Sequence, residues 1–247
     1  MILRRLTEHV KAQNWFAVAI DFVIVVAGVF VGLQVNNWNE ARQEAALQRV
    51  YAERLEVDFL GIRERIGDHV AIFSAAVEGG DYLLSVTAAS DAKLSDIPID
   101  KDRMEMAFDS LVSNRIPPPA SATYSEMVSE GRLSGLRDPV LRDRLAEYDR
   151  LLGVVLEISR NVTDSNYQQM PILFRHFDAR TVTDDGALSG IREEVDGYDV
   201  AGMRSDRDYA IAVRLMRRNA LNSLQQRRIQ LRRIDEILAL LRAEPAP

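Results

Sequence analysis

One uninterrupted apolar run, Phe16 to Val35 (FAVAIDFVIVVAGVFVGLQV), constrains this chain more than any other feature. The two tryptophans of the whole chain, Trp15 and Trp38, bracket it. The 23 helical steps between them, at about 1.5 Å each, set the indoles roughly 35 Å apart. That matches the bilayer's hydrocarbon core of about 30 Å with a little headgroup on either side. Indole rings favour both interfaces, so Trp15 and Trp38 read as membrane-interface anchors around a transmembrane helix spanning residues 15–38. Residues 39–247 then form an extramembrane domain.

A cleaved signal peptide is the competing explanation. Its apolar core would be about 7–15 residues, shorter than this run, and an A-x-A site would follow it. Gln34-Val35-Asn36-Asn37-Trp38 carries none, which favours an uncleaved anchor. Orientation is balanced by side-chain charge: Arg4, Arg5 and Lys11 precede the span, Arg42, Arg49 and Arg54 follow it. Residues 1–14 tip the balance, because Ile2, Leu6 and Val10 share one face with basic residues off it, as in an interfacial helix on the anionic cytoplasmic leaflet. The expected topology is a single-pass protein of the bacterial inner membrane, with a cytoplasmic N-terminus and a periplasmic domain.

The span is two-sided. At 100° per residue, Ala17, Asp21, Val25, Gly28 and Gly32 fall on one arc, joined by Asn36 beyond them, while Val23, Val26, Phe30 and Leu33 occupy the opposite one. Gly28 and Gly32 make a GxxxG, which lets two helix backbones approach closely. Its alignment with Asp21 points to Ala17, Asp21, Val25, Gly28 and Gly32 as a helix–helix interface. The plainer alternative is that Asp21 snorkels to the headgroups and the glycines are incidental. A proton path through Asp21 lacks a relay partner on a single span.

Beyond residue 40 the chain is rich in Leu, Ala, Arg and Glu with helical periodicity, so an all-α fold is expected, the span continuing into a long helix of an extramembrane bundle. Leu47, Tyr51, Leu55, Phe59, Ile62, Ile66, Val70, Phe73 and Val77 mark that helix to about Ala89, with softening at Gly79-Gly80. A polar linker at 91–100, a helix at 101–114 and a stiff Pro117-Pro118-Pro119 connector follow. A short helix over 123–133 closes near Gly135, and Asp138-Pro139 starts a helix reaching about Gln169, where Pro171 breaks or kinks it. Residues 178–205 read as loop, and a last helix covers 206–243. Residues 40–81 hold nine acidic and five basic side chains, whereas 206–242 hold nine arginines and four acids. The two helices should therefore pair through solvated faces, with lipid headgroups or an anionic partner as the other destination for the arginines.

Chemistry is sparse. No cysteine occurs, which excludes thiol catalysis, Cys-ligated metals and disulfides. The net charge of −6 gives no reason to expect nucleic acid. His9, His69 and His176 are scattered, and His69 and His176 read as helix-surface residues. No P-loop, GxGxxG or GxSxG is present. The expectation is no enzyme, no cofactor, no metal and no catalytic residue.

The stretch from Asp21 through Gly28, Gly32, Leu33-Gln34 and Asn36-Asn37-Trp38-Asn39-Glu40 to Arg42, with Thr123-Tyr124-Ser125-Glu126-Met127 and Gly131-Arg132-Leu133 later, resembles a bacterial family of uncharacterised single-span membrane proteins filed as a domain of unknown function. The resemblance covers residues 1–150 and implies one span and a helical domain, with no activity or ligand. Together these features point to a membrane-anchored helical interaction or scaffold protein. Its partners would be the lipid bilayer and, through the span, a second copy or another membrane protein. A membrane-anchored ligand-sensing bundle is the alternative, to be favoured by an apolar pocket with a few convergent polar groups.

Overall fold

The computed structural model describes residues 15–89, 91–94, 97, 99–136, 138–183 and 191–243, with the backbone alone at 15–18, 91–92 and 191–192. The expected interfacial segment 1–14 lies outside them. The fold is all-α apart from one small hairpin. Helix α1 runs Trp15–Ala88 without a break. Then come α2 (Asp91–Leu94), α3 (Lys101–Val112), α4 (Ala122–Ser129), a 3-10 turn (Arg132–Gly135), α5 (Pro139–Phe174), β1 (Phe177–Thr183), β2 (Ile191–Tyr198), α6 (Val200–Ser205) and α7 (Arg207–Ala243). By internal contacts the chain divides into residues 1–51 and residues 52–247.

In the larger unit the apolar stripe of α1 is buried at Leu55, Phe59, Ile62, Ile66 and Phe73. The stripe drifts, because heptad-like spacing does not divide evenly into 3.6 residues per turn. Val70 and Val77 are only half-buried, and their neighbours His69 and Ala76 take the buried positions. Gly79 and Gly80 do not soften α1. A β-carbon on Gly79 would lie 2.9 Å from the Ala107 Cα of α3, and one on Gly80 would lie 2.8 Å from the Arg217 Cβ of α7. These glycines are contact points where two other helices press against α1.

Side-chain caps set most helix starts. Asp100, Ser121, Asp138 and Asp199 each accept a backbone N–H from the first turn of α3, α4, α5 and α6. Ser121 also donates to Asp58 of α1 (2.7 Å), and the Thr123 N–H donates to the same carboxylate oxygen (2.9 Å), pinning α4 to α1. Gly131, in the left-handed conformation at φ 68°, stops α4 earlier than the expected closure at Gly135. Helix α5 continues through Pro171 to Phe174 rather than ending near Gln169. Leu173 is fully buried and Phe174 packs edge-on against Phe108 at 5.0 Å, so packing holds the last turn despite the N–H that proline lacks.

The stretch expected as loop, 178–205, instead holds the antiparallel hairpin and α6; its residues 184–190 lie outside the described residues. Phe177 pairs with Tyr198, and a bulge falls between Asp178 and Ala179. Phe177 and Val195 point into the core while Arg180 bridges Glu194 and Asp196 on the outside.

Candidate functional site

Trp15, Ala17, Asp21, Val25, Gly28, Gly32 and Trp38 all lie on α1. From Ile20 to Val35 the large apolar side chains of this helix are exposed, Val25 at 64% and Phe30 at 67%. β-Carbons built on Gly28 and Gly32 meet nothing within 4 Å. Sixteen residues of helix carry the arc from Ala17 to Gly32, about 22 Å of length. Just past it Asn36 donates to Glu40 (2.7 Å), and the Arg42 guanidinium sits 5.9 Å from the Trp38 ring, giving the indole a cationic neighbour. Among the described residues this is the one helix long and apolar enough to cross a membrane, and its apolar window is not buried at all.

The larger unit holds a second notable place, which the sequence did not single out. Arg227 on α7 is 1% exposed. Its Nη1 donates to Gln230 Oε1 (3.0 Å), and its Nη2 donates to the Arg115 carbonyl (3.3 Å) and to Ser159 Oγ (3.4 Å). Its Cζ lies 5.7 Å from the Phe73 ring. Burial pulls this guanidinium down to about 10, with partial compensation from Tyr148. His69 is buried here rather than on the surface; burial first, then Arg227 and Arg115, pull its imidazole down to about 4, so it is neutral. Burial likewise pushes the Tyr148 phenol up to about 12. Arg227 occupies the i+3/i+4 position between Leu224 and Ile234 where the apolar stripe calls for a hydrophobe, and that misplaced charge was the legible clue.

His176 also leaves the surface it was expected to occupy. It sits after α5 with Nε2 2.8 Å from Asp206 Oδ2 and its ring edge-on to Tyr209 at 5.3 Å. Arg175 reaches the same carboxylate oxygen at 2.7 Å, while Asp206 Oδ1 accepts the N–H groups of Asp208 and Tyr209 and caps α7. The His176 hydrogen bond, ahead of burial in the opposite sense, holds the Asp206 carboxyl down at about 2. This is a structural joint that closes the hairpin onto α7.

Three of the grooves that open on the larger unit lie among the described residues. The one between α1 and α3, about 220 Å³, is lined by Gly79, Tyr82, Arg103 and Met106 among others. Another, about 340 Å³, is walled mainly by Asp102, Glu105, Asp109 and Glu193. The third, about 370 Å³, lies by Ser85 and Ile97. Among the described residues no three His, Asp or Glu side chains are grouped to hold a metal ion.

Compared with protein-family models, curated proteins and solved structures, the chain matches none. What it does is therefore read from its own residues.

Proposed function

We propose that this chain is a membrane-anchored helical interaction or scaffold protein, held in the bacterial inner membrane by residues 15–38 and associating with a second copy or another membrane protein through Ala17, Asp21, Val25, Gly28 and Gly32. The observation that carries this reading is the exposure of the whole apolar stretch Ile20–Val35, with open space over Gly28 and Gly32. A helix that exposes this much apolar surface needs a lipid or protein environment to cover it. The N-terminus is assigned to the cytoplasm and residues 39–247 to the periplasm, on the basic interfacial character of residues 1–14. No nucleic acid, cofactor or catalytic step enters the proposal.

A membrane two-hybrid assay tests the interface. Replacing Gly28 and Gly32 together by Leu should abolish the association signal, while Val23→Ala and Phe30→Ala on the opposite arc leave it unchanged. Equal loss from both arcs, or no signal from the parent span, overturns the interface. Alkaline phosphatase fused after residue 243 should be active and a green fluorescent fusion dark; the reverse pattern overturns the orientation.

Ligand sensing is a second reading because one observation favours it, the buried polar cluster around Arg227, whose Nε has no hydrogen-bond partner among the described residues.

A further inference from the structure

Two exposed helix faces of the larger unit lie side by side and carry opposite charge. On α7, Arg214, Arg218, Leu221, Gln225, Arg228 and Arg232 follow one another in alternating steps of four and three, and all are exposed. Tyr209 to Ile234 contains no acidic residue. On α1, Val57, Leu60, Glu64, Gly67 and Ala71 keep the same alternation, with Glu53 before them and Glu78 beyond, and these too are exposed. Asp68 sits at the edge of this line, and no basic residue falls on it. Such steps draw a straight line along a helix, the form that a helical partner covers. Among the described residues, none of Arg214, Arg218, Arg228 and Arg232, and none of Glu53, Glu64, Asp68 and Glu78, has a hydrogen-bond or ion-pair partner.

Ion pairs fix how the two lines lie. Glu56 with Arg242, Arg63 with Asp235 and Asp81 with Arg217 join α1 to α7 in reverse order, so the helices are antiparallel and hold one register. These residues flank one side of each line. Arg54 and Asp58, which reach α4, flank the far side of the α1 line, and Asn219, which reaches α5, flanks the far side of the α7 line. At 100° per residue, both lines therefore face the same way. Glu64 and Asp68 stand level with Arg232 and Arg228, and Glu78 stands level with Leu221 and Arg218.

We propose that a second copy of this chain docks on the two-helix face, the acidic line of α1 in each copy lying on the arginine line of α7 in the other. A two-fold axis parallel to the helices makes this exchange and keeps every residue at its level, so the contact closes as a dimer. Glu64 and Asp68 then meet the partner's Arg228 and the partner's Arg232. Sizes match as well as charges. A β-carbon on Gly67 meets nothing within 4 Å, and Gly67, Ala71 and Ala75 leave room for the long side chains of Arg228 and Leu221 at the same levels. Val57 and Leu60, 70% and 41% exposed, gain cover. Two lines each about 30 Å long and about 10 Å wide bury roughly 1,200 Å² in all, the low end for a stable interface. A nucleic acid or anionic membrane on the arginines would bring its phosphates within about 10 Å of the α1 carboxylates, inside the range of charge repulsion. A second copy presents both signs. The contact is separate from the span interface proposed above and does not require it.

The test uses the full chain in a mild detergent. The chain has no cysteine, so an introduced one reports a single position. Chains carrying Ala71→Cys and chains carrying Gln225→Cys, with different affinity tags, are mixed and mildly oxidised. A disulfide should join the two tags, and Ala71→Cys chains alone should give little. Arg218→Glu, Arg228→Glu and Arg232→Glu together should cut the yield at least about tenfold, because like charges then face each other. Adding Glu64→Arg, Asp68→Arg and Glu78→Arg to the same chain should restore it. Should the reversed chains fail to fold, the unreversed pair is oxidised at about 0.1 M and about 1 M sodium chloride, and the yield should fall at the higher salt. No disulfide between the tags overturns the proposal, and anionic vesicles that retain the chain in that case give the arginines to lipid. A yield indifferent to charge reversal or to salt, or an equal yield from Ala71→Cys chains alone, also overturns it. With Gly28→Leu and Gly32→Leu in the background the disulfide should persist, and its loss there overturns the faces as a contact of their own. A silent two-hybrid assay with the disulfide intact overturns the span interface alone.

Discussion

The buried face of α7 passes through two regions built on opposite principles. From Tyr209 to Met216 it is apolar, and Tyr209, Ala212, Val213 and Met216 join Leu83, Val86, Phe108, Val195 and Met203 in one continuous core. From Asn219 to Gln230 polar residues enter the same face: Asn219, Ser223, Arg227 and Gln230 are all buried, beside Ala220 and Leu224. Asn219 donates to Asn166 (2.9 Å) and Ser165 (3.0 Å) of α5, and Arg227 makes the contacts described above. Apolar packing returns at Ile234, Ile237 and Leu238. The apolar region supplies burial energy that hardly depends on partner identity. The polar region supplies geometry, since each group is costly unless its partners are in place. Sliding α7 by one turn past α5 would still bury hydrophobes at its ends but would orphan Asn219 and Arg227. The polar middle is thus the part that selects one register.

The largest effect should come from the apolar region. Phe108 is fully buried, stacked at 4.3 Å on Phe177 and edge-on at 5.0 Å to Phe174. Its truncation removes a filled volume where α3, α5 and the hairpin meet. Phe108→Ala should cost about 3–5 kcal/mol in urea unfolding, whereas Phe108→Leu should recover more than half of that. A loss under about 1 kcal/mol would mean the hairpin end is loosely packed, and the contrast between the two regions would disappear.

The polar middle should declare itself through pH instead. His69 titrates near 4 when folded against about 6.5 when unfolded. The unfolded chain therefore binds the extra proton first. Stability from this residue is whole above about pH 6.5 and falls as pH drops towards 4, by about 2 kcal/mol at pH 5. Urea midpoints of the parent and of His69→Gln, measured at pH 7.5 and 5.0, isolate that share: the parent should lose more than the variant. Parallel losses in both proteins would place the acid sensitivity elsewhere, in carboxylates such as Asp58. Burial raises Asp58, but its hydrogen bonds from Thr123 and Ser121 and the charge of Arg54 leave it below the usual carboxylate range.

The same contrast explains which parts were legible in the amino-acid pattern. Helix positions followed from apolar recurrence, and starts such as Asp138-Pro139 followed from local capping chemistry, because both are decided by neighbours in sequence. The continuity of α1 through Gly28 and Gly32 was legible for the same reason. The hairpin was not, since Phe177 and Val195 become core residues only after α3 supplies Phe108 to cover them. The buried role of His69 was hidden too, and that of Arg227 showed only as a charge set on an apolar stripe. A lone polar residue on a helix is ordinarily solvent-facing, and only the junction of α1, the connector and α7 makes these two interior. Gly79 and Gly80 suggested flexibility in isolation, and they acquired their meaning from the approach of α3 and α7.

The smallest effects should lie on the surface, where α1 and α7 meet through the charge complementarity visible in their compositions. Arg217 grips Asp81 with both Nε (2.5 Å) and Nη2 (2.9 Å), its stem lying over Gly80. Arg63 reaches Asp235 with Nε alone (2.7 Å), and both of those side chains are about half exposed. Exposed pairs are weak because water already solvates each ion and two long side chains must be held still, so only the paired geometry of Arg217 should register clearly. Double-mutant cycles should give a coupling of about 0.5–1 kcal/mol for Arg217–Asp81 and less than about 0.5 kcal/mol for Arg63–Asp235. Both should shrink as sodium chloride rises from about 0.1 M, where charges are screened over roughly 10 Å, to about 1 M, where the range is roughly 3 Å. Arg217–Asp81 flanks the apolar region and Arg63–Asp235 lies beyond the polar one, so similar small couplings at both would leave the interior as the source of their difference. A coupling above about 2 kcal/mol at either pair would move the choice of register from the buried polar residues to the surface charges.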